Sequence, residues 1–139
     1  MAFDYGARTV GVAVSEPLLF TASPVETVRR EKENHLRKTF ARLEELIRQY
    51  EVTHLVVGLP LNMDGTEGER AEKARAFGEA LARRTGLPVT WQDERLSSVA
   101  GEEMLADMGF DARGQKRLSD MAAAVIILED ALAALRKGN

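Results

Sequence analysis

Three carboxylates stand at positions where acids are disfavoured. Asp4 lies between Phe3 and Tyr5 in a strand-like opening, and strands are poor in Asp. Glu94 follows the apolar run Val89-Thr90-Trp91-Gln92, inside Asp93-Glu94-Arg95. Asp120 comes one residue before Met121-Ala122-Ala123-Ala124-Val125, and an acid against so apolar a helix is costly unless something pairs with it. Gathered in one place, three carboxylates repel one another, and a divalent cation relieves the repulsion. Oxygen donors alone point to Mg²⁺ or Mn²⁺, the ions that assist phosphodiester cleavage. Each acid also has a plain reading. Asp4 would pair with Arg8, Glu94 would be a surface acid beside Arg95, and Asp120 would charge the first turn of its helix. Asp93 is an alternative to Glu94.

Basic and polar side chains flank these acids in sequence. Arg8 is close enough to Asp4 to hold a phosphate, or else to form a hairpin salt bridge. Asn62, Asp64 and Thr66 follow a central strand and precede a helix, a place that offers backbone N–H groups to a phosphate; Asn62-Met63-Asp64-Gly65 is otherwise a plain turn. Arg70 and Lys73 fall on that helix and would track a nucleic-acid backbone. Arg113, Lys116 and Arg117 form a basic cluster in the loop expected before Asp120, suited to clamp a substrate strand or simply to face solvent.

The elements that must position these groups follow from patterning. Residues 2–6 and 10–15 predict two short strands joined near Ala7–Thr9, and a third strand is predicted over residues 21–28. Leu36, Phe40, Leu43, Ile47 and Tyr50 recur at helical spacing. The run 54–58 predicts a parallel strand buried on both faces. Thr66 and Glu69 match a capping box, so a helix is expected from Glu67 to about Arg84, stopped by Gly86. A strand is predicted over 87–92 and a helix from Ser97 or Ser98 to about Met108. A loop is expected over 109–115 and a last helix over about 118–137. Strand–helix alternation after an antiparallel opening implies a mixed α/β sheet with helices on both faces. Ligands in such sheets sit at the carboxyl ends of the strands. If the first and last parallel strands are neighbours, Asp4 and Glu94 converge there, and the last helix brings Asp120 over them.

Composition sets the outer bounds. The chain has 139 residues, the size of a single domain, with 45% apolar and 29% charged residues and a net charge of −3. The absence of cysteine excludes disulfides and a thiolate zinc site, and two histidines leave no room for a His-rich one. The longest apolar run, Met121 to Leu128, is too short to span a membrane. With no signal peptide in view, a cytoplasmic location is expected.

The opening Met1-Ala2-Phe3-Asp4-Tyr5-Gly6-Ala7-Arg8-Thr9-Val10-Gly11-Val12-Ala13-Val14-Ser15 resembles that of a bacterial family of small ribonuclease H-like proteins. The family is known both as Holliday junction resolvase and as pre-16S ribosomal RNA nuclease. Val56-Val57-Gly58-Leu59-Pro60-Leu61-Asn62-Met63-Asp64-Gly65-Thr66 is similar to its most distinctive loop. Asp93-Glu94-Arg95-Leu96-Ser97-Ser98 and the segment 120–128 complete the pattern over essentially the whole chain. The resemblance implies a ribonuclease H-like fold with a five-stranded sheet ordered 3-2-1-4-5, and metal ligation by Asp4, Glu94 and Asp120. It implies a divalent-metal-dependent nuclease acting on nucleic acid, with RNA favoured and branched DNA as the alternative, as a monomer or homodimer. Related nucleases often carry a fourth acid near the last helix. Here the only acids further along it are Glu129 and Asp130, more than two turns on. Two other classes compete: a nucleotide-binding domain using Asp4-Tyr5-Gly6 as a phosphate loop, and a non-catalytic RNA- or ribosome-binding module.

Overall fold

The computed structural model describes residues 1–16, 21–94 and 112–137, with side chains of the last segment described over 122–136. Strand β1 (Ala2–Tyr5) pairs antiparallel with β2 (Thr9–Ser15), which pairs antiparallel with β3 (Ala22–Arg29). Helix α1 (Arg37–Gln49) leads to β4 (Leu55–Leu59), parallel to β1. Helix α2 (Glu69–Thr85) leads to β5 (Val89–Asp93), parallel to β4, and helix α3 (Ala112–Lys137) follows. The sheet order is β3-β2-β1-β4-β5, the order the resemblance implies. The expected helix over 97–108 lies outside the described residues.

Two cores of different texture hold the layers together. On one face Phe3, Tyr5, Val10, Val12, Leu55 and Val57 meet Phe40, Leu43 and Ile47 of α1 and Phe77 and Leu81 of α2. Tyr5 stacks on Phe77 at 4.6 Å between centroids, and Phe77 on Phe40 at 5.7 Å. On the other face Ala2, Ala13 and Val56 meet Ala124, Ile127, Leu128 and Leu132 of α3. Small residues on both sides of that interface let α3 lie close to the sheet, and it touches all five strands. Helices therefore cover both faces, as patterning predicts.

Several boundaries differ from expectation. Helix α2 begins at Glu69 behind Gly68, with no side-chain cap. Thr66 does not cap it, because Asp64 takes both its N–H and its hydroxyl, at 3.0 and 2.6 Å. Helix α3 already includes Ala112, the first residue described in this segment, so Arg113, Lys116 and Arg117 lie on a helix rather than in a loop. One interior glycine, Gly114, costs a helix only about 1 kcal/mol, and Gln, Lys, Arg and Leu around it are good helix formers. The strands β3, β4 and β5 each end one residue later than patterning suggests, within ordinary boundary variation.

Candidate active site

Alternation along β1 decides which way Asp4 faces. Phe3 and Tyr5 enter the core under α1 and α2, while Ala2 packs under α3. Asp4, between them, therefore stands on the α3 side of the sheet, half-buried near the carboxyl end of β1. The same parity separates Asp93 from Glu94. Trp91 packs toward α2, so exposed Asp93 shares its side, and Glu94 turns to the other.

Asp4 and Glu94 meet although their strands are not neighbours, a correction to the geometry expected above. Strand β4 lies between β1 and β5, and the two acids reach each other across Gly58. A Cβ at position 58 would stand 2.5 Å from Glu94 Oε2 and 2.5 Å from Ile127 Cδ1. Glycine thus leaves the space that the Glu94 carboxylate and α3 occupy. The Glu94 backbone N–H donates to the Leu59 carbonyl at 3.1 Å, which fixes the chain as it leaves β5.

Burial pushes the Glu94 carboxyl up to about 9, aided by the Asp4 charge, a side-chain hydrogen bond with Asp4, and the Asp93 charge. An acid so shifted holds a proton at neutral pH. Two facing carboxylates, one largely buried, are also hard-oxygen donors of the kind that could hold a divalent cation. Asp120 lies on α3 at the position seven residues before Ile127 and four before Ala124, in line with the buried stripe by helical period. Its side chain lies outside the described residues, as do those of Arg113, Lys116 and Arg117. Among the described residues no group of three His, Cys, Asp or Glu side chains forms. Glu129 and Asp130 are exposed.

An open cleft of about 390 Å³ adjoins the pair, lined by Asp4, Tyr5, Gly6, Ala7, Pro60, Leu61, Arg70 and Glu94. Of the basic groups named from sequence, Arg70 reaches this cleft. Arg8 sits exposed in the turn between β1 and β2, and it makes no ion pair among the described residues. Asn62, Asp64 and Thr66 bond mainly to one another. The Asn62 amide donates to the Thr66 hydroxyl at 3.0 Å, the Asn62 N–H to the Thr66 carbonyl at 2.8 Å, and Gly65 N–H to the Asn62 carbonyl at 2.8 Å. These N–H groups are engaged within the loop, and Glu69 and Glu72 occupy the first turn of α2. The loop shapes the cleft wall behind Pro60 and Leu61.

Sequence reasoning missed Gly58, Arg30 and Glu33. A glycine ending a buried strand was a signal of close approach. Arg30 and Glu33 lie in the charged run 29–33, which gave no signal.

Comparison with known proteins finds relatives over nearly the whole chain. A curated relative from Lachnospira eligens is 51% identical over 128 residues, covering 92% of this chain and 91% of its own. One from Streptococcus thermophilus is 44% identical over 133 residues, covering 95% of each. Both carry the name "Putative pre-16S rRNA nuclease". A solved structure, "T. thermophilus RuvC in complex with Holliday junction substrate", superposes with a TM-score of 0.62 at 23% identity, over 96% of this chain and 92% of that one. That likeness establishes the ribonuclease H-like fold. The family model described as "RuvX: Holliday junction resolvase" matches residues 1–134, and the chain belongs to this RuvX family.

Proposed function

We propose that the chain is a divalent-metal-dependent nuclease that hydrolyses phosphodiester bonds of nucleic acid in 5′-end processing of pre-16S rRNA. The observation that carries this reading is the meeting of Asp4 and Glu94 across Gly58, at the carboxyl edge of the sheet and beside an open cleft. The names of the curated relatives support RNA. The family description and the likeness to a junction-bound resolvase favour a second reading, cleavage of branched DNA, which a homodimer would suit.

The donor set fits a hard cation. Asp4 and Glu94 would hold Mg²⁺ or Mn²⁺, with Asp120 as the third carboxylate from α3. Such an ion supplies activation of water and neutralisation of phosphate charge. The protein's own contributions are distinct. Small residues beneath α3 let that helix lie close to the sheet. Burial of Glu94 keeps water from solvating its charge, so a cation there is bound in exchange for a proton. Arg70 lines the cleft as a donor for a non-bridging phosphate oxygen, and Arg8 stands at the turn beyond Asp4. Asn62, Asp64 and Thr66 hold the loop that follows Pro60 and Leu61 of the cleft wall. Arg113, Lys116 and Arg117 would follow the strand along α3. No helix among the described residues is long and apolar enough to cross a membrane, consistent with action on nucleic acid in the cytoplasm.

The test is a panel of labelled single-stranded RNA, single-stranded DNA, duplexes and a four-way junction, each with Mg²⁺ and with Mn²⁺. Asp4→Asn is expected to abolish metal-dependent cleavage while the circular dichroism spectrum stays unchanged. Cleavage at the wild-type rate by that variant would refute the assignment. No cleavage and no divalent-ion binding by the wild type would leave a binding module.

A further inference from the structure

Arg30, in the connection between β3 and α1, is nine-tenths buried and pairs with no carboxylate among the described residues. Its Nε donates to the Glu33 carbonyl at 3.0 Å, its Nη2 to the Gly6 carbonyl at 2.7 Å, and its backbone N–H to the Arg8 carbonyl at 2.8 Å. Its guanidinium lies 4.8 Å from the centre of the Tyr5 ring, and Nη1 is buried without a hydrogen-bond partner. A group so enclosed ties the Glu33 backbone to the turn that follows Asp4.

The Glu33 side chain then faces α2. One carboxylate oxygen accepts from Arg70, and the other lies 3.3 Å from Lys73 Nζ. Arg70 also lines the acid-pair cleft and sits 5.8 Å over Tyr5 from its own side. Arg70 and Lys73 are three residues apart on one helix, so their charges are adjacent and would repel without an anion between them. The side chains of Glu33, Arg70 and Lys73 are 32–40% exposed, so these ion pairs contribute little to stability and are open to exchange with another anion. Lys73 keeps a second partner, Glu69, at 3.2 Å, which holds it in place if Glu33 leaves.

We propose that Arg70 and Lys73 form a phosphate subsite beside the acid-pair cleft, and that Glu33 is its internal occupant, a carboxylate standing where a substrate phosphate binds. Its service to a nucleic-acid strand rests on the nuclease reading; the subsite itself does not. The oxygens of one anion reach two cations, as a phosphate's do, and an arginine matches either group. The incoming phosphate displaces Glu33, whose carboxylate turns to solvent, while Arg30 retains the backbone beneath it.

Two measurements on the full chain separate these claims. Inorganic pyrophosphate is expected to raise the melting temperature of Glu33→Gln more than that of the wild type, and the excess is expected to vanish in a triple variant that adds Arg70→Ala and Lys73→Ala. Equal effects on wild type and Glu33→Gln would overturn the subsite. A fluorescein-labelled single-stranded RNA, titrated without divalent ions over a range of KCl, is expected to bind Glu33→Gln about three- to fivefold more tightly, a gain of the size an exposed ion pair supplies. The slope of log affinity against log salt should steepen by about 0.7 for each cation freed. If pyrophosphate distinguishes the variants but neither binds single-stranded RNA or a labelled four-way DNA junction, in repeat titrations with Mn²⁺ as well as without, the subsite stands and the nuclease reading falls. If both bind RNA equally and with one slope, Glu33 is a structural ion-pair partner and the displacement is refuted.

Discussion

Replacing Glu94 with glutamine isolates the cost of the acid pair. In the folded chain the Glu94 carboxyl is pushed up to about 9 from an ordinary 4.5, first by burial and then by Asp4. Between those values the folded state holds a proton that the unfolded state has released. Stability contributed by the protonated group is therefore complete below pH 4.5 and declines as pH rises toward 9. At 1.36 kcal/mol for each pH unit, the loss is about 3 kcal/mol at pH 7 and about 6 at pH 9. The figure belongs to the Asp4–Glu94 pair, which titrates jointly. Glutamine keeps the shape, stays neutral, and can donate its amide hydrogen to the Asp4 carboxylate. In EDTA at pH 7, Glu94→Gln is thus expected to be the more stable protein by up to about 3 kcal/mol. For a chain of 139 residues that is a rise of about 10 °C in melting temperature.

The assay is thermal unfolding followed by circular dichroism, with wild type and variant side by side at pH 5, 7 and 9. The difference in melting temperature should grow with pH, because only the wild type must take up a proton on folding to keep a buried carboxyl neutral. Added Mn²⁺ should reverse the order, stabilising the wild type at pH 7 and the variant far less, while Glu94→Gln loses cleavage. A variant no more stable than wild type at pH 7, with a difference independent of pH, would refute the reasoning: Glu94 would then be ordinarily solvated.

Gly58→Ala places a methyl 2.5 Å from both Glu94 Oε2 and Ile127 Cδ1, so a loss of about 1–3 kcal/mol is expected in urea unfolding, along with most of the cleavage rate. Gly78→Ala meets Trp91 ring atoms at 2.6 and 2.8 Å and should cost a similar amount, read by fluorescence of the single tryptophan, while folded molecules keep their cleavage rate. Arg70→Ala should raise KM severalfold with little change in kcat and lower the salt dependence of binding by one contact, measured by cleavage and anisotropy. Phe77→Ala removes the ring between Tyr5 and Phe40 and should cost about 3–5 kcal/mol in the same urea titration.

The parts of the site that depend on local periodicity were legible in the sequence. The strand bearing Asp4, the stripe of α1 and the buried stretch of α3 each declare themselves within a dozen residues. The sheet order was legible only through resemblance. What remained hidden depends on elements far apart in the chain. Nothing near Gly58 states that a carboxylate 36 residues on will lie over it, because that requires knowing that β4 separates β1 from β5. Thr66 and Glu69 form a genuine capping pattern, but Asp64 engages Thr66 first, and a two-residue turn outcompetes the cap. Arg30 looks like one more charge in a charged run. Only the folded chain shows it enclosed between Tyr5, Gly6 and Glu33.

One consequence of strand alternation organises the whole site. Asp4 and Tyr5 are adjacent, so they face opposite sides of the sheet. Asp4 joins Glu94 on the α3 side, where the Glu94 carboxyl is largely buried. Tyr5 faces the α2 side, where Arg30 and Arg70 lie against its ring. The carboxyl edge of β1 is thus a divide with acids on one flank and cations on the other, and the cleft containing Asp4, Glu94 and Arg70 opens across it. A polyanionic strand laid over that edge meets fixed positive charge on the α2 flank. On the α3 flank it meets the Asp4 carboxylate, whose charge opposes it unless a cation is held there beside Glu94. Metal loading and strand binding should therefore be cooperative. Raising Mn²⁺ should tighten RNA binding by Asp4- and Glu94-intact protein, and the Glu94→Gln variant, uncharged at that position like the protonated wild type at pH 7, should match wild type in EDTA and gain less from the metal. Equal metal dependence in the two proteins would show that the acids do not face the strand.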